Sequence, residues 1–155
     1  VQAVLRMAVD RLSLEGVRGR LSAATMAQVN KAPFVLQGDW LLDIPRLTLA
    51  DLRKVTEASG RIAWQDAGGG LPSPLALGNL AADLAAENGW LVMSLADNGG
   101  PLGLAGTARW QPAKPLKLDT RLLARADADR DLAAGLQLLG RADPDGWVRW
   151  RVQLQ

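Results

Sequence analysis

The chain has 155 residues, 18 of them basic and 16 acidic, for a formal net charge of +2. It contains no His, Cys or Tyr, which removes imidazole bases, thiolate nucleophiles, phenolic acids and the usual zinc and copper ligands. No clustered run of Lys and Arg marks a nucleic-acid surface, and no stretch reaches the ~18 apolar residues of a membrane span.

A chain of this size buries about two-thirds of the surface its unfolded form exposes, so it needs no staple to hold a core. The missing cysteines leave the redox compartment undecided. No signal-peptide pattern opens the chain. The start at Val1 reads as a fragment or processed form, with a targeting or anchor segment removed upstream.

Strand-like alternation, with every second side chain on one face, dominates the sequence. Phe34, Leu36, Trp40, Leu42 and Ile44 alternate, with Gly38 between them. A short helix near Leu49 to Val55 fits the next segment, with Pro45 just upstream. Gly60 to Trp64 returns to strand. Asp66-Ala67-Gly68-Gly69-Gly70 then reads as a flexible connection, ending in Leu71-Pro72-Ser73-Pro74. Glu87-Asn88-Gly89 predicts a tight hairpin, because Asn-Gly supplies the positive φ that such turns need.

Leu91, Met93 and Leu95 alternate up to the turn Asp97-Asn98-Gly99-Gly100-Pro101. Leu102, Leu104, Ala108 and Trp110 follow, interrupted by Gly106, and then Leu116, Leu118 and Leu122. Interior glycines mark bends or close backbone approach, so the sheet is expected to be coiled. A helix is predicted from Asp127 to Leu139, with Ala128, Leu132, Leu136 and Leu139 on one face, Asp127 as cap and Gly140 as stop. Asp143-Pro144-Asp145-Gly146 turns the chain into a last strand. There Val148, Trp150, Val152 and Leu154 share one face, opposite Trp147, Arg149, Arg151 and Gln153.

A Gly-x-x-x-Trp pattern occurs at Gly60–Trp64, Gly106–Trp110 and Gly146–Trp150. Each Trp shares its strand's apolar face, so Trp64, Trp110 and Trp150 are assigned to the core. Trp147 and Trp90 point the other way. Exposed large aromatics are often contact residues, so Trp147, Arg149, Arg151 and Trp90 are the expected partner-binding residues.

Catalytic motifs do not assemble. Gly68-Gly69-Gly70 lacks the Lys-Ser/Thr and the helix of a phosphate loop. Asp127, Asp129 and Asp131 suit a helix start, and Asp143 and Asp145 lack the spacing of an EF-hand. Ser94 and Lys114 form no Ser-x-x-Lys string. No catalytic residue, cofactor or metal site is therefore assigned.

The Gly60–Trp64 strand, Leu77-Gly78, Gly99-Gly100-Pro101-Leu102 with Gly106, Leu138-Leu139-Gly140 and Asp145-Gly146 together resemble one family. It is the periplasmic part of type II secretion system protein N, also called general secretion pathway protein N. Gly16-Val17-Arg18-Gly19-Arg20-Leu21 is similar to that family's opening strand. The resemblance implies an accessory component of the envelope-spanning secretion machine. It would lie in the periplasm, anchored to the inner membrane by an N-terminal helix missing here. The implied partners are the secretin, protein C and the inner-membrane platform.

The expectation is one all-β, mainly antiparallel domain over residues 1–155. It is a coiled meander with one helix near 127–139, and the repeat is compatible with two similar halves, 1–66 and 71–155. The expected function is a non-enzymatic structural adaptor in type II secretion, acting by protein contacts. The alternative is a periplasmic carrier of lipid or acylated protein, with a sheet-lined apolar pocket. A hydrolase would instead need converging carboxylates.

Overall fold

The computed structural model describes residues 1–29, 35–70 and 74–154. Among them nine strands form one antiparallel sheet in strict chain order. These are β1 Gln2–Met7, β2 Arg11–Ser22, β3 Val35–Ala50, β4 Lys54–Gly70, β5 Leu75–Glu87, β6 Trp90–Asp97, β7 Leu102–Trp110, β8 Leu116–Ala124 and β9 Val148–Leu154. Helix α1, Ala23–Val29, joins β2 to β3, and α2, Arg130–Leu139, joins β8 to β9. β1 and β9 do not pair, so the sheet is open. The expected antiparallel all-β meander is the fold.

The alternating sequence gives this sheet one apolar face and no second sheet to cover it, so the face folds over onto itself. β3 and β4 run 16 and 17 residues, far beyond the usual 5–6, and bend along their length. Gly60 is one bending point. It has φ +116°, and a Cβ there would lie 2.2 Å from the Asp43 carbonyl oxygen of β3. It sits opposite Ile44 and Pro45, where the β3–β4 register shifts. Gly106 repeats the device on β7, with φ +148° and a Cβ position 2.3 Å from the Asp119 carbonyl oxygen of β8.

The curled face closes into two clusters. Val17, Ile44, Val55, Leu84 and Leu91 form the first, with Trp110 packed against it. Leu102, Leu122, Leu132, Leu136 and Val148 form the second, with Trp150 packed against it. Trp40 and Trp64 oppose each other across β3 and β4, edge to face at 5.9 Å between ring centres. Such a pair adds about 0.5–1.5 kcal/mol beyond burial. The Trp64 indole N–H also donates to the Gln37 carbonyl at 2.8 Å. Trp110 and Trp150 are thus half-buried core residues, as expected, whereas Trp64 is half-buried against Trp40, outside both clusters.

Four local readings change. Leu49 to Val55 is not helical: Asp51, Leu52 and Arg53 form the β3–β4 hairpin turn, with Arg53 N–H donating to the Ala50 carbonyl. Asp66 to Gly70 is not a loop but the end of β4, where Gly69 pairs with Leu36 and Gly70 with Val35. Backbone pairing between flanking strands needs no side chain, so glycine propensity is overridden. The helix predicted from Asp127 begins at Arg130, and its cap is Asp129, whose side chain accepts the Asp131 N–H. Leu132 and Leu136 are buried there, whereas Leu139 stays exposed.

The fourth change is α1, which the sequence reading did not mark. Ser22 Oγ lies 3.5 Å from Thr25 N at its start, and Ala23 and Ala27 are buried. The expected strand member Phe34 and the segment Leu71-Pro72-Ser73 fall outside the described residues. Among the described residues no helix is long and apolar enough to cross a membrane.

Asp97 ties the β6–β7 turn to the end of β8. Its carboxylate accepts hydrogen bonds from Gly99 N–H, Leu104 N–H and the Arg125 guanidinium, the last at 2.6 Å. Arg125 also donates to the Gly100 carbonyl. Burial opposes the charge on Asp97, but these donors outweigh it and hold its pKa to about 2.

Two outcomes are expected. Gly106→Ala loses about 2–4 kcal/mol in urea unfolding, because a Cβ meets backbone on the neighbouring strand. Gly135→Ala, in open space on α2, gains about 1 kcal/mol; equal effects of the two changes would refute the bend. The Asp97 pKa is depressed on folding, so its contribution, about 2 kcal/mol, is complete above the ordinary value of 3.8 and is lost as pH falls toward about 2. Asp97→Asn should therefore flatten the stability–pH curve over that window.

Candidate functional site

β8 organises the outer, polar face of the sheet's second half. Leu116, Leu118 and Leu122 turn inward, so Lys117, Asp119 and Arg121 project outward at every second position, with Leu123 next on the same outer face beside Trp147. Each of the four expected partner-binding residues is placed along this stripe.

At one end, three cations surround the Trp90 indole. Arg109 lies 5.1 Å, Lys114 5.0 Å and Lys117 5.5 Å from its ring centre. Arg109 of β7 and Lys117 of β8 are direct cross-strand partners. Like charges in that position repel, and the indole face offsets part of the cost. Trp90 is thus half-buried beneath cations rather than bare.

In the middle, Asp119 gathers the two arginines of β9. Arg149 reaches it through two hydrogen bonds of 3.2 and 3.1 Å, and Arg151 lies 3.3 Å away. Hydrogen bonding to Arg149 is the main cause of an Asp119 pKa held below the usual carboxylate range; burial opposes it, and Arg151 adds to the lowering. A shallow depression of about 370 Å³ lies here, lined by Lys117, Asp119, Arg151 and Gln153.

At the far end, Arg121 sits 5.5 Å from the Trp147 ring centre. Trp147 covers Gly103 of β7, where a Cβ would come within 3.0 Å of its ring. Its backbone N–H is fixed by the Asp143 carboxylate at 3.0 Å. The stripe therefore carries Arg109, Lys114, Lys117, Arg121, Arg149 and Arg151 against Asp119, with a tryptophan at each end.

The sequence marked the two tryptophans and the β9 arginines by face alternation. It did not single out Arg109, Lys117, Asp119 or Arg121. Their signal was the same alternation on β7 and β8, but only strand pairing shows which charges meet. Lys114 stands in the β7–β8 turn, whereas Ser94 sits within β6 opposite Thr107, so the two form no dyad. Two of the acidic residues near α2 serve backbone donors: Asp129 caps the helix, and Asp143 accepts from Asp145 and Trp147 N–H. Among the described residues no group of three His, Cys, Asp or Glu could hold a metal ion.

The family model described as type II secretion system (T2SS), protein N, matches residues 1–151. No curated protein and no solved structure matches the chain.

Asp119 is the stripe's internal counter-charge. Asp119→Asn should lower the melting temperature at low salt, and the deficit should narrow at high salt as repulsion among the stripe's cations is screened. An unchanged melting temperature in dilute buffer would show that Asp119 does not hold the stripe together.

Proposed function

The chain belongs to the protein N family of the type II secretion system, and from that premise we propose that it is a non-catalytic adaptor of the secretion machinery. It works in the periplasm, in a protein anchored to the inner membrane, by binding acidic surfaces of other secretion components. The secretin, protein C and the inner-membrane platform are the partners proposed.

The observation that carries this reading is the β8 stripe. It joins a strong excess of positive charge to two amphipathic aromatics on a rigid sheet, a pattern typical of contact surfaces rich in Arg and Trp. Cross-strand pairing fixes these side chains in advance, which reduces the ordering cost of binding. The exposed edge strand β1, with Val4 and Leu5 open to solvent, adds a second surface, suited to strand addition by a partner. The carrier alternative needs the inner-face leucines as pocket walls. They pack against one another in two clusters instead, so the adaptor reading is the one supported.

Arg149→Glu with Arg151→Glu, in the full-length anchored protein, should leave the fold intact, since both side chains are exposed. Recovery of secretion components in envelope pull-downs should fall by more than about tenfold, given that reversed charges face an acidic partner. Undiminished recovery of every component would remove the stripe from the adaptor role.

A further inference from the structure

We propose that one end of the sheet, built from four hairpin tips, rests on an anionic phospholipid bilayer. This goes beyond the adaptor reading. It shares Trp90, Arg109, Lys114 and Lys117 with the β8 stripe, but its test changes only rim residues outside the stripe, so either can fail without the other.

Chain-order pairing puts the β1–β2, β3–β4, β5–β6 and β7–β8 turns at the same end of the sheet. Hydrogen bonds lock the tips together. Asp51 N–H donates to the Asp10 carbonyl at 2.7 Å, and Val55 N–H to the Gly89 carbonyl at 2.9 Å. The Gln111 side-chain amide reaches the same Gly89 carbonyl at 2.8 Å. The tips therefore form one preorganised rim rather than four loose loops.

Apolar side chains protrude from this rim. Met7 is 77% exposed, Leu52 62%, and Val9 fully. They border a depression of about 590 Å³. Leu52 is the most telling. Asp51 and Leu52 have φ of +51° and +52°, the hairpin conformation that Asn-Gly adopts cheaply and a bulky side chain does not. A leucine held in solvent on a backbone that disfavours it points to contact with something apolar.

Charge on the rim has one dominant sign. Arg11, Arg53, Lys54 and Lys114 are exposed there, joined by Arg109 and Lys117 around Trp90. The acids at this end are Asp10, Asp51 and Glu87. The opposite end is acidic among the described residues, with Asp97, Asp127, Asp129, Asp131, Asp143 and Asp145 against Arg125, Arg130 and Arg141. A molecule charged this way along its strands orients tips-first on a negative surface. Cations for phosphates, an indole at the boundary and short apolar protrusions are the elements of interfacial binding. An acidic protein would satisfy the cations but gives Met7, Val9 and Leu52 no role.

The test is co-sedimentation of the chain with vesicles of phosphatidylcholine alone or mixed with phosphatidylglycerol. Binding is expected only to the mixed vesicles and should weaken with salt. Leu52→Asn should hold or raise the melting temperature while lowering partition. Arg11→Gln with Arg53→Gln and Lys54→Gln should lower partition by more than about tenfold. Arg130→Gln with Arg141→Gln, the control at the opposite end, should not lower it. Equal binding to neutral vesicles, or tip variants that bind like the parent, would overturn the proposal. So would capture by polyglutamate, unaffected by Leu52→Asn, without vesicle binding; that result would assign the rim to an acidic polypeptide.

Discussion

A single sheet with one apolar face has nothing to bury that face against except itself. That constraint sets the shape of this protein. Strands β3 and β4 are long enough to bend, and Gly60 on β4 and Gly106 on β7 allow bending by bringing a neighbouring backbone where a Cβ would stand. The two inner clusters, and the half-buried positions of Trp110 and Trp150 against them, follow from that curl.

The two glycines use the same local geometry. In each case the obstructing atom is the carbonyl oxygen of an aspartate on the adjacent strand, Asp43 or Asp119. Both aspartates also face arginines on the outer surface: Arg18 pairs with Asp43, and Arg149 and Arg151 with Asp119. Bending inside and cross-strand charge pairing outside are thus coupled at the same residues. The third Gly-x-x-x-Trp does not share the device, since Gly146 belongs to the turn before β9.

Curling inward leaves the outer face free for charge. Elsewhere on that face basic and acidic residues meet in cross-strand pairs, as Arg61 meets Asp83 at 2.7 Å. Exposed pairs of this kind contribute little to stability, but they neutralise the surface. Around β8 the cations outnumber the one acid, and tryptophans cover part of the excess. The departure from pairing, rather than charge itself, distinguishes this region from the rest of the sheet.

Much of the fold was legible because period-two alternation and turn residues are local properties. The Asn88-Gly89 hairpin, the Asp97 to Pro101 turn and the inward face of β9 could be read from neighbouring residues alone. Asp66 to Gly70 and Leu49 to Val55 could not. Asp66 to Gly70 is held between β3 and β5, and Leu49 to Val55 is held by β2 beside it and by its own hairpin pairing, so pairing overrode local propensity in both. The same holds for the candidate site. The sequence determined that Trp90, Trp147, Arg149 and Arg151 face away from the core. Only the tertiary structure decided their company, because Arg109, Lys117 and Asp119 reach them from other strands through register, and register is a long-range property of the sheet.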